Sequence, residues 1–576
     1  MIFSKTVLFA IAICSASAAG AQIEVERNVA VKMRDGVILR ADIYRPDGQG
    51  KHPVILHRTP YNRMLVANFG ERGAGAGFVV VLQDVRGRFG SGGDWYPLAN
   101  EFEDGYDSVE WAAALPYCNG KVGVYGGSYH GYTTLMAALS GPPHLAGFVS
   151  IEAGSDFYEG FTHRGGALSQ WLVESWVTGL AYDTLDRVTR KEADIRKWAD
   201  RVPPTSYPVL ELPTGRSLAP YLFDWMQHPA RDGYWDRFAF EPHYRQVRAP
   251  GLHIGGWYDV FGNGPPRVFN AMRSQAATRE AREGQRLIMG PWSHGALRPK
   301  AGDLDFGKAV EFDLTGLALK WFDYLLNGAR NGLEHEKPVR IFVMGENVWR
   351  DEDQWPPARA HETAFYFHSN GSARSAAGEG TLSTVKPESE SADEYTYDPA
   401  DPVPTAGGGL CCGGITAGAV DQRTVENRSD VLVYTTPPLE KDVEVTGPVR
   451  VELSISSSAP DTDFAATLVD VWPNGYAQNV ADGLRRARYR ESFQKPRLLK
   501  PGEIVRISVD LWATSNLFRA GHRLRVHVTS SNFPHYSRNP NTGEEPELAT
   551  RMVKAINRVY HDREHASAVY LPVVPR

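Results

Sequence analysis

The sequence predicts an α/β domain with a helical insertion, followed by a domain of antiparallel strands. Apolar runs such as "VVVL" (residues 79–82) lack alternation, which is typical of strands buried on both faces of a mainly parallel sheet. Residues 155–245 read instead as helices joined by Pro-rich, aromatic loops. After about residue 355, apolar and polar residues alternate and turn residues are frequent, which indicates a β-sandwich or jelly roll.

Strands and helices follow one another along the α/β domain, as expected for a sheet covered by helices. The apolar runs that predict these strands lie, together with the loop residues beside them, at 36–46, 52–61, 77–87, 121–127, 249–259, 285–295 and 339–345, and the last of these should be the last strand of the sheet. Predicted helices of this domain lie at 104–116 and 310–328. The insertion contains two more predicted helices, at 167–188 and 190–202.

The second domain has the clearest two-residue period. Residues 447–456 place one set of side chains on an apolar face, namely Val449, Val451, Leu453 and Ile455. The opposite face carries Arg450, Glu452 and Ser454. The Gly/Ser/Glu-rich stretch at 369–394 predicts a loop. The resulting organisation is a leader at 1–21, an α/β domain at 22–152 and 247–353, a helical cap at 153–246 and a jelly roll at 354–576.

The first 21 residues have the layout of a secretory signal peptide. Lys5 gives a positive start, "TVLFAIAIC" is too short to span a bilayer, and small residues precede a cleavage site after Ala21. A disordered or buried N-terminus is the alternative. No other run reaches the length of a membrane helix, so we expect an exported chain, periplasmic or secreted, with no membrane contact after cleavage.

Charge and glycine patterns exclude several classes of partner. A net charge of −6 without blocks of like charge argues against nucleic acid. The glycine spacing of "GRFGSGG" (87–93) is wrong for a dinucleotide loop. The carboxylates of Asp461 and Asp463 are more typical of a turn than of a calcium site. We therefore expect neither an organic cofactor nor a metal.

The cysteines do not form a disulfide framework. After cleavage three remain, Cys118, Cys411 and Cys412. The adjacent pair could form a vicinal disulfide, one member could pair with Cys118, or all could be free thiols. No histidine lies nearby at ligand spacing, so a zinc site is not predicted.

Ser128 is the candidate nucleophile. It lies in "KVGVYGGSYHG" (121–131), two residues after Gly126 and three before Gly131, with His130 where the G-x-S-x-G motif has its second glycine. A predicted strand precedes it and a helical stretch follows, so a sharp turn would expose its hydroxyl. The alternative is a glycine-rich turn without chemistry.

A serine nucleophile needs a base, and the base needs a group that orients it. Asp259 and His294 each follow a predicted strand, at the carboxyl edge where sites form in α/β sheets. Each alone would suit a structural role, but their order and matching positions predict a Ser128–Asp259–His294 triad. His253 lies inside a strand and His535 in the β-rich part, so neither suits the role of base.

The negative oxygen formed by serine attack needs hydrogen-bond donors in place. The backbone N–H of Tyr129, next after the nucleophile, is one candidate. Tyr61, just past an early strand, is a second, although by composition alone it would more often be a packed loop aromatic.

Several motifs together resemble the cocaine-esterase-like hydrolases, relatives of X-prolyl dipeptidyl-peptidases, α-amino-acid ester hydrolases and glutaryl-cephalosporanic-acid acylases. They are "RTPYNR", "DVRGRFGSGGDW", "NGKVGVYGGSYHG", "GGWYDVF", "GPWSHG", "APDTDF", "SNLFRAGHRLRV" and "SSNFPHYSRNPNTG". The resemblance implies an α/β-hydrolase domain, a helical cap and a C-terminal jelly roll of the galactose-binding-like type. It also implies the triad named above, with the Tyr61 hydroxyl and the Tyr129 amide in the oxyanion hole.

The resemblance leaves the substrate open. Amino-acid ester hydrolases bind the ammonium group of their substrate with carboxylates, two of which follow the triad aspartate closely. Here Asp259 is followed by "VFGN", so this acidic pair is missing. Asp156 and Glu159 of the cap should be solvated. The cap also supplies aromatic side chains that suit either an acyl pocket or helix packing, namely Phe157, Tyr158, Phe161, Trp171 and Trp176.

The sequence thus predicts an exported serine hydrolase that cleaves an ester or amide of a small acyl substrate through an acyl-enzyme, with an esterase favoured. A dipeptidyl-peptidase or an acylase is the alternative within this class. A non-catalytic protein that binds a polymer through the jelly roll is the alternative from another class. The sequence does not decide whether the chain forms a homo-oligomer.

Overall fold

The computed structural model describes residues 23–184, 199–206, 219–295 and 297–576. The predicted leader at 1–21 and most of the predicted helix at 190–202 lie outside these residues. Within the described ranges, none of the helices combines the length and the apolar character needed to cross a bilayer.

Over residues 23–151, three strands are followed by helices and strands in alternation, which confirms the predicted α/β pattern, although the strands at 23–32 and 145–151 and the helix at 67–75 were not predicted. The elements are β1 (Ile23–Lys32), β2 (Ile38–Pro46), β3 (His52–Thr59), α1 (Ala67–Gly75), β4 (Val79–Asp84), α2 (Glu101–Ala113), β5 (Cys118–Gly127), α3 (Tyr129–Leu139) and β6 (Leu145–Ile151). Every residue of β4 is buried, which is why its sequence shows no alternation.

The insertion has an aromatic core. Its described elements are β7 (His163–Arg164), β8 (Ala167–Leu168), α4 (Gln170–Thr184) and α5 (Pro220–Gln227). Helix α4 lies within the helix predicted at 167–188. Phe157 contacts the rings of Phe161, Trp225 and Phe238, so aromatic packing holds the insertion together.

The α/β pattern then resumes. Its elements are β9 (Gly251–Tyr258), α6 (Gly264–Gln275), α7 (Arg279–Glu283), β10 (Arg286–Ser293), β11 (Lys300–Ala301), β12 (Leu304–Asp305), α8 (Leu314–Phe322), β13 (Val339–Val343) and β14 (Val348–Glu352). The prediction that 339–345 ends the sheet is wrong, because β14 pairs antiparallel with β13. This edge strand, "VWRDE", is mostly polar and therefore lacks the pattern of its buried neighbours.

The central sheet has the order β1-β2-β4-β3-β5-β6-β9-β10-β13-β14. The strands from β4 to β13 are parallel to their neighbours in this order. The carboxyl ends of β5, β6, β9 and β10 therefore lie side by side at one edge. Residues that directly follow these four strands are brought together whatever their separation in sequence.

The C-terminal part is rich in strands, as predicted. Its elements are β15 (His361–His368), β16 (Thr381–Ser383), β17 (Asp393–Tyr397), α9 (Arg423–Glu426), β18 (Leu432–Thr435), β19 (Val443–Ser457), β20 (Asp463–Val471), β21 (Ala477–Arg486), β22 (Val505–Phe518), β23 (Arg523–Thr529), β24 (Ala555–Tyr560) and β25 (Ala568–Val574). Short strands β16 and the start of β17 lie in the stretch predicted as a loop at 369–394. Pairing is antiparallel except between β16 and β18. The jelly-roll topology stays a prediction.

Of the three cysteine arrangements left open by the sequence, the structure has the vicinal one. Cys411 and Cys412 form a disulfide, and Cys118 is a buried free thiol on β5. The pair lies in a glycine-rich loop whose Gly413 carbonyl accepts a hydrogen bond from the Trp171 indole, 3.0 Å away. This loop therefore packs against helix α4 of the insertion.

Candidate active site

Ser128 occupies a sharp turn between β5 and α3. Its backbone has φ 59° and ψ −127°, a strained conformation for a residue with a side chain, and its N–H donates to Ile151 O at 2.9 Å. A Cβ on Gly126 would lie 2.3 Å from the His130 carbonyl oxygen, and one on Gly131 would lie 2.8 Å from Ile151 O. Both glycines are thus required by close backbone approach, and the displaced second glycine still serves the turn.

The three residues predicted as a triad lie together. His294 Nε2 is 2.8 Å from Ser128 Oγ, and His294 Nδ1 is 2.9 Å from Asp259 Oδ1. The same Asp259 oxygen accepts the Phe261 N–H at 2.9 Å. The Asp259 side chain is fully buried and that of His294 is 10% exposed, so the hydrogen bonds are largely shielded from water. This is the arrangement of a nucleophile, a base and its orienting carboxylate.

A second carboxylate, absent from the sequence prediction, adjoins the triad. Glu152 follows β6, and its Oε2 accepts the Gly295 N–H at 2.7 Å while lying 3.9 Å from His294 Nδ1. Its backbone φ of 48° is also in the left-handed region. The signal in the sequence is the same as for Asp259, an apolar run ("AGFVSI") that ends in an acid.

Burial and charge act in opposite directions on the base. Burial alone would lower the pKa of His294, but the charge and hydrogen bond of Asp259 raise it above the ordinary value, and an ionised Glu152 would raise it further. Burial also raises the pKa of Glu152, and the negative charge of Asp259 adds to this effect. Burial and the charge of Asp259 thus both favour the protonated, neutral form of Glu152.

Tyr61 and Tyr129, the two predicted oxyanion donors, lie beside one another, with ring centroids 6.4 Å apart. Tyr129 begins helix α3, and the first amides of a helix have no acceptor within it. The Tyr61 hydroxyl accepts the Trp176 indole N–H at 2.8 Å. Trp176 also stacks on the Tyr129 ring, with centroids 5.9 Å apart, so one cap side chain contacts both tyrosines.

The surroundings of the triad are aromatic. The Phe261 ring meets the His294 ring edge-on at 5.2 Å and stacks on Phe161 of the insertion at 5.5 Å. Phe161 in turn contacts Trp176 at 5.3 Å. Of the predicted cap aromatics, Trp176 is half-buried beside Tyr61, whereas Phe157, Tyr158, Phe161 and Trp171 are buried in packing.

The expectation that the cap acids are solvated is wrong. Asp156 is buried, with Arg231 3.5 Å away and the Tyr158 N–H 2.8 Å away. Glu159 accepts the Gly165 N–H at 3.0 Å and is only partly accessible. Both acids are used in holding the loops of the insertion, so neither is placed as a solvated carboxylate.

The other histidines considered have structural surroundings. His253 Nε2 lies 2.8 Å from Gln285 Oε1 inside the sheet, and His535 is buried in the C-terminal part against the ring of Tyr536. Burial lowers the pKa of His253 to about 4. Neither lies with Ser128.

Glu152, Asp259 and His294 are also the one cluster of three metal-ligand side chains found in the described part of the chain. Both ring nitrogens of His294 are engaged, one with Ser128 and one with Asp259. The cluster is therefore arranged for proton transfer along hydrogen bonds, and we assign it no metal.

Known proteins match the chain along its length. Residues 35–296 match the X-Pro dipeptidyl-peptidase (S15 family) model, and residues 331–570 match the X-Pro dipeptidyl-peptidase C-terminal non-catalytic domain. A cocaine esterase from Rhodococcus sp. (strain MB1 Bresler) is 39% identical over 96% of this chain and 99% of its own. The chain belongs to this S15 and cocaine esterase family.

Solved structures of the family have the same architecture. An aminopeptidase from a marine sediment Thaumarchaeota archaeon superposes with a TM-score of 0.82 at 27% identity, covering 99% of both chains. An α-amino acid ester hydrolase gives the same score and identity, covering 99% of this chain and all of its own. The S15 chain is thus a serine hydrolase with an α/β-hydrolase domain and a separate β-rich domain. This confirms the enzyme prediction over that of a non-catalytic binding protein.

We expect Gly126→Ala to disrupt the turn that presents Ser128. The added methyl meets the backbone at 2.3 Å, so the free energy of unfolding should fall by about 1–3 kcal/mol or more, as for other overpacked sites. Labelling of Ser128 by a fluorophosphonate should slow in parallel. Thermal unfolding and the labelling rate measure the two effects.

The neighbouring Gly127→Ala is the matched control. Its added methyl would meet Ile151 at 3.5 Å, an ordinary contact, so the variant should fold and label much as the wild type does. Equal effects of the two substitutions would contradict the steric explanation.

Proposed function

We propose that this protein hydrolyses esters of small acyl substrates through an acyl-enzyme on Ser128. The observation that carries the proposal is the unbroken hydrogen-bond chain from Ser128 Oγ through His294 to Asp259, at 2.8 and 2.9 Å. Nothing else among the described residues pairs an accessible hydroxyl with a base and an orienting carboxylate in this way. Membership of a serine hydrolase family supports the same chemistry.

In the first half-reaction, Ser128 Oγ attacks the carbonyl carbon while His294 Nε2 takes the hydroxyl proton. Asp259 accepts a hydrogen bond from His294 Nδ1–H. This bond fixes the tautomer of the ring and stabilises the imidazolium. His294 then gives the proton to the leaving alcohol as the ester bond breaks. In the second half-reaction, water attacks the acyl carbon while His294 takes its proton, and His294 then returns that proton to Ser128 Oγ as the Oγ–acyl bond breaks and the acid is released.

The tetrahedral intermediate has a negative oxygen that needs fixed donors. In the proposed mechanism these are the Tyr129 amide, at the positive end of α3, and the Tyr61 hydroxyl. The Trp176 indole donates to the Tyr61 oxygen at 2.8 Å. This bond orients the hydroxyl and makes it a stronger donor, because an oxygen that accepts a hydrogen bond is polarised.

The surroundings favour an uncharged, apolar acyl group. Phe261 and Trp176 lie beside His294 and Tyr61, and the cap acids Asp156 and Glu159 are engaged with Arg231 and the Gly165 amide. These two acids are therefore not placed to bind a free ammonium. The 39% identical relative is a cocaine esterase, which fits an aromatic acyl ester.

An acylase or a dipeptidyl-peptidase is the second candidate, since both family models take their names from X-Pro dipeptidyl-peptidases and one neighbour is an aminopeptidase. Export to the periplasm or the exterior is proposed on the N-terminal sequence pattern alone.

Whether the protein forms a homo-oligomer is left open.

We expect a fluorophosphonate to label the wild type and Ser128→Ala to remain unlabelled. With ester substrates, kcat of the variant should fall by roughly 10⁶-fold, because the nucleophile of a triad is removed. A panel of aromatic esters, short acyl esters, α-amino esters and X-Pro anilides measures the preference. Faster cleavage of X-Pro anilides than of every ester would favour the second candidate, and equal labelling of both proteins would contradict the role of Ser128.

Tyr61→Phe should lower kcat by roughly 10²–10³-fold with little change in KM, the loss typical for an oxyanion donor. Steady-state kinetics on one aromatic ester tests this. Trp176→Phe is the matched variant, since it keeps an aromatic ring at this position and removes the indole N–H that Tyr61 accepts. Its effect should be smaller and in the same direction, and an unchanged rate in Tyr61→Phe would remove this hydroxyl from the mechanism.

The pH dependence should report the raised pKa of His294. The base works only when neutral, so activity is lost as the pH falls through this pKa, and the midpoint of kcat/KM should lie above the ordinary histidine value of about 6.5. Asp259→Asn removes the carboxylate that raises the pKa, so the residual activity should have a lower midpoint. An unshifted midpoint in this variant would show that Asp259 does not set the basicity.

A further inference from the structure

Four neighbouring strands end at the active site, and the mechanism uses residues from only three of them. Ser128 follows β5, Asp259 follows β9 and His294 follows β10. Glu152 follows β6, which lies between β5 and β9 in the sheet. Its N–H donates to Ile254 O at 2.7 Å, which fixes its backbone beside that of β9.

Only one of the two carboxyl oxygens of Glu152 accepts a hydrogen bond from a described residue. Oε2 accepts the Gly295 N–H at 2.7 Å, but Oε1 is buried with no hydrogen-bond partner among the described residues. Asp259 has the same imbalance, since Oδ1 accepts two N–H groups and the buried Oδ2 has no partner in the described ranges. Oxygens of the two carboxyls and a ring nitrogen of His294 lie within 4.8 Å of one another. Buried polar atoms left without a partner are costly, so these two oxygens call for an explanation.

One shared proton accounts for both oxygens. Two buried carboxylates at this separation cannot both be ionised at low cost, and one of them keeps a proton. Asp259 receives two N–H donors, including the imidazole, and is therefore the better placed to be charged. The proton then belongs to Glu152, where Oε1–H can donate to Asp259 Oδ2.

We propose that Glu152 is a positioning residue of the triad, protonated on Oε1, that donates to Asp259 Oδ2 while accepting the Gly295 amide on Oε2. This inference rests on the proposed function. The neutral acid links the loop that carries Asp259 to the loop that carries His294, and it adds no second negative charge beside the base. Asp259 and His294 are the ionisable groups that face Glu152 from the described elements packed around it.

The proton on Glu152 affects whether His294 can act as the base. An ionised Glu152 would place a second negative charge 3.9 Å from His294 Nδ1, which would favour the imidazolium and withhold the base at neutral pH. A neutral Glu152 leaves Asp259 as the single charge that orients the ring. In this proposal the two neighbouring carboxyls differ in protonation state, since Glu152 is neutral and Asp259 is charged.

Glu152→Gln tests the protonation state directly, because glutamine reproduces the neutral acid with an N–H donor and a carbonyl acceptor. We expect kcat within about threefold of the wild type, and the same midpoint for the loss of kcat/KM at low pH. If Glu152 were ionised while His294 titrates, removing its charge would lower that midpoint, and the proposal would be overturned. Asp259→Asn, the same exchange at the neighbouring carboxyl, should instead abolish most activity.

Glu152→Ala tests positioning, since it removes both the donor to Asp259 and the acceptor for Gly295. A displaced imidazole should lower kcat by roughly 10²-fold with little change in KM. Rescue by glutamine but not alanine, with similar thermal unfolding of both, distinguishes positioning from folding. If glutamine loses as much activity as alanine, a charged Glu152 is required and the proposal fails.

Infrared spectroscopy provides a readout that needs no turnover. The difference spectrum between wild type and Glu152→Gln at neutral pH should contain the carbonyl stretch of a protonated carboxylic acid, and Asp259→Asn should shift this band because its acceptor changes. A carboxylate band alone would overturn the proposal. Since the spectrum does not depend on any substrate, it separates a failure of this inference from a failure of the proposed hydrolase activity.

Discussion

The active site depends on one constraint, the parallel alignment of β5, β6, β9 and β10. Parallel strands end at the same edge, and that edge gathers Ser128, Glu152, Asp259 and His294 from positions up to 166 residues apart. Each side chain is then held by backbone bonds close to its strand end, such as Ser128 N–H to Ile151 O. The sheet therefore supplies the precision of a few tenths of an ångström that proton transfer needs, and loops carry only the chemistry.

The C-terminal β-rich part contributes to this precision through the loop after β9. The Tyr258 hydroxyl, one residue before Asp259, donates to Asn479 O at 2.9 Å and accepts the Gln478 amide at 3.1 Å. Gly409 approaches so closely that a Cβ would lie 2.8 Å from Asp259 O. The carboxylate that orients His294 is thus fixed from both sides of the domain boundary, which gives the non-catalytic part a direct role in the geometry of the base.

Sequence patterns predicted the site residues that follow apolar runs, and the structure places Ser128, Asp259 and His294 in contact as those patterns indicate. They did not identify Glu152, although it follows β6 in the same way, because a two-carboxyl site is not part of the expected triad. They also missed β14, whose polar sequence gives no burial signal. The burial of Asp156 beside Arg231 depends on contacts between distant segments, which no local pattern contains.

The insertion contacts the site through Phe161, which stacks on Phe261 beside His294, and through Trp176. Trp176 on α4 donates to the Tyr61 hydroxyl and stacks on the Tyr129 ring, so the two proposed oxyanion donors share one cap residue. Any movement of α4 would change the orientation of the Tyr61 hydroxyl as well as the shape of the acyl site. In the proposed mechanism, substrate fit in the cap and stabilisation of the oxyanion would therefore be coupled through Trp176.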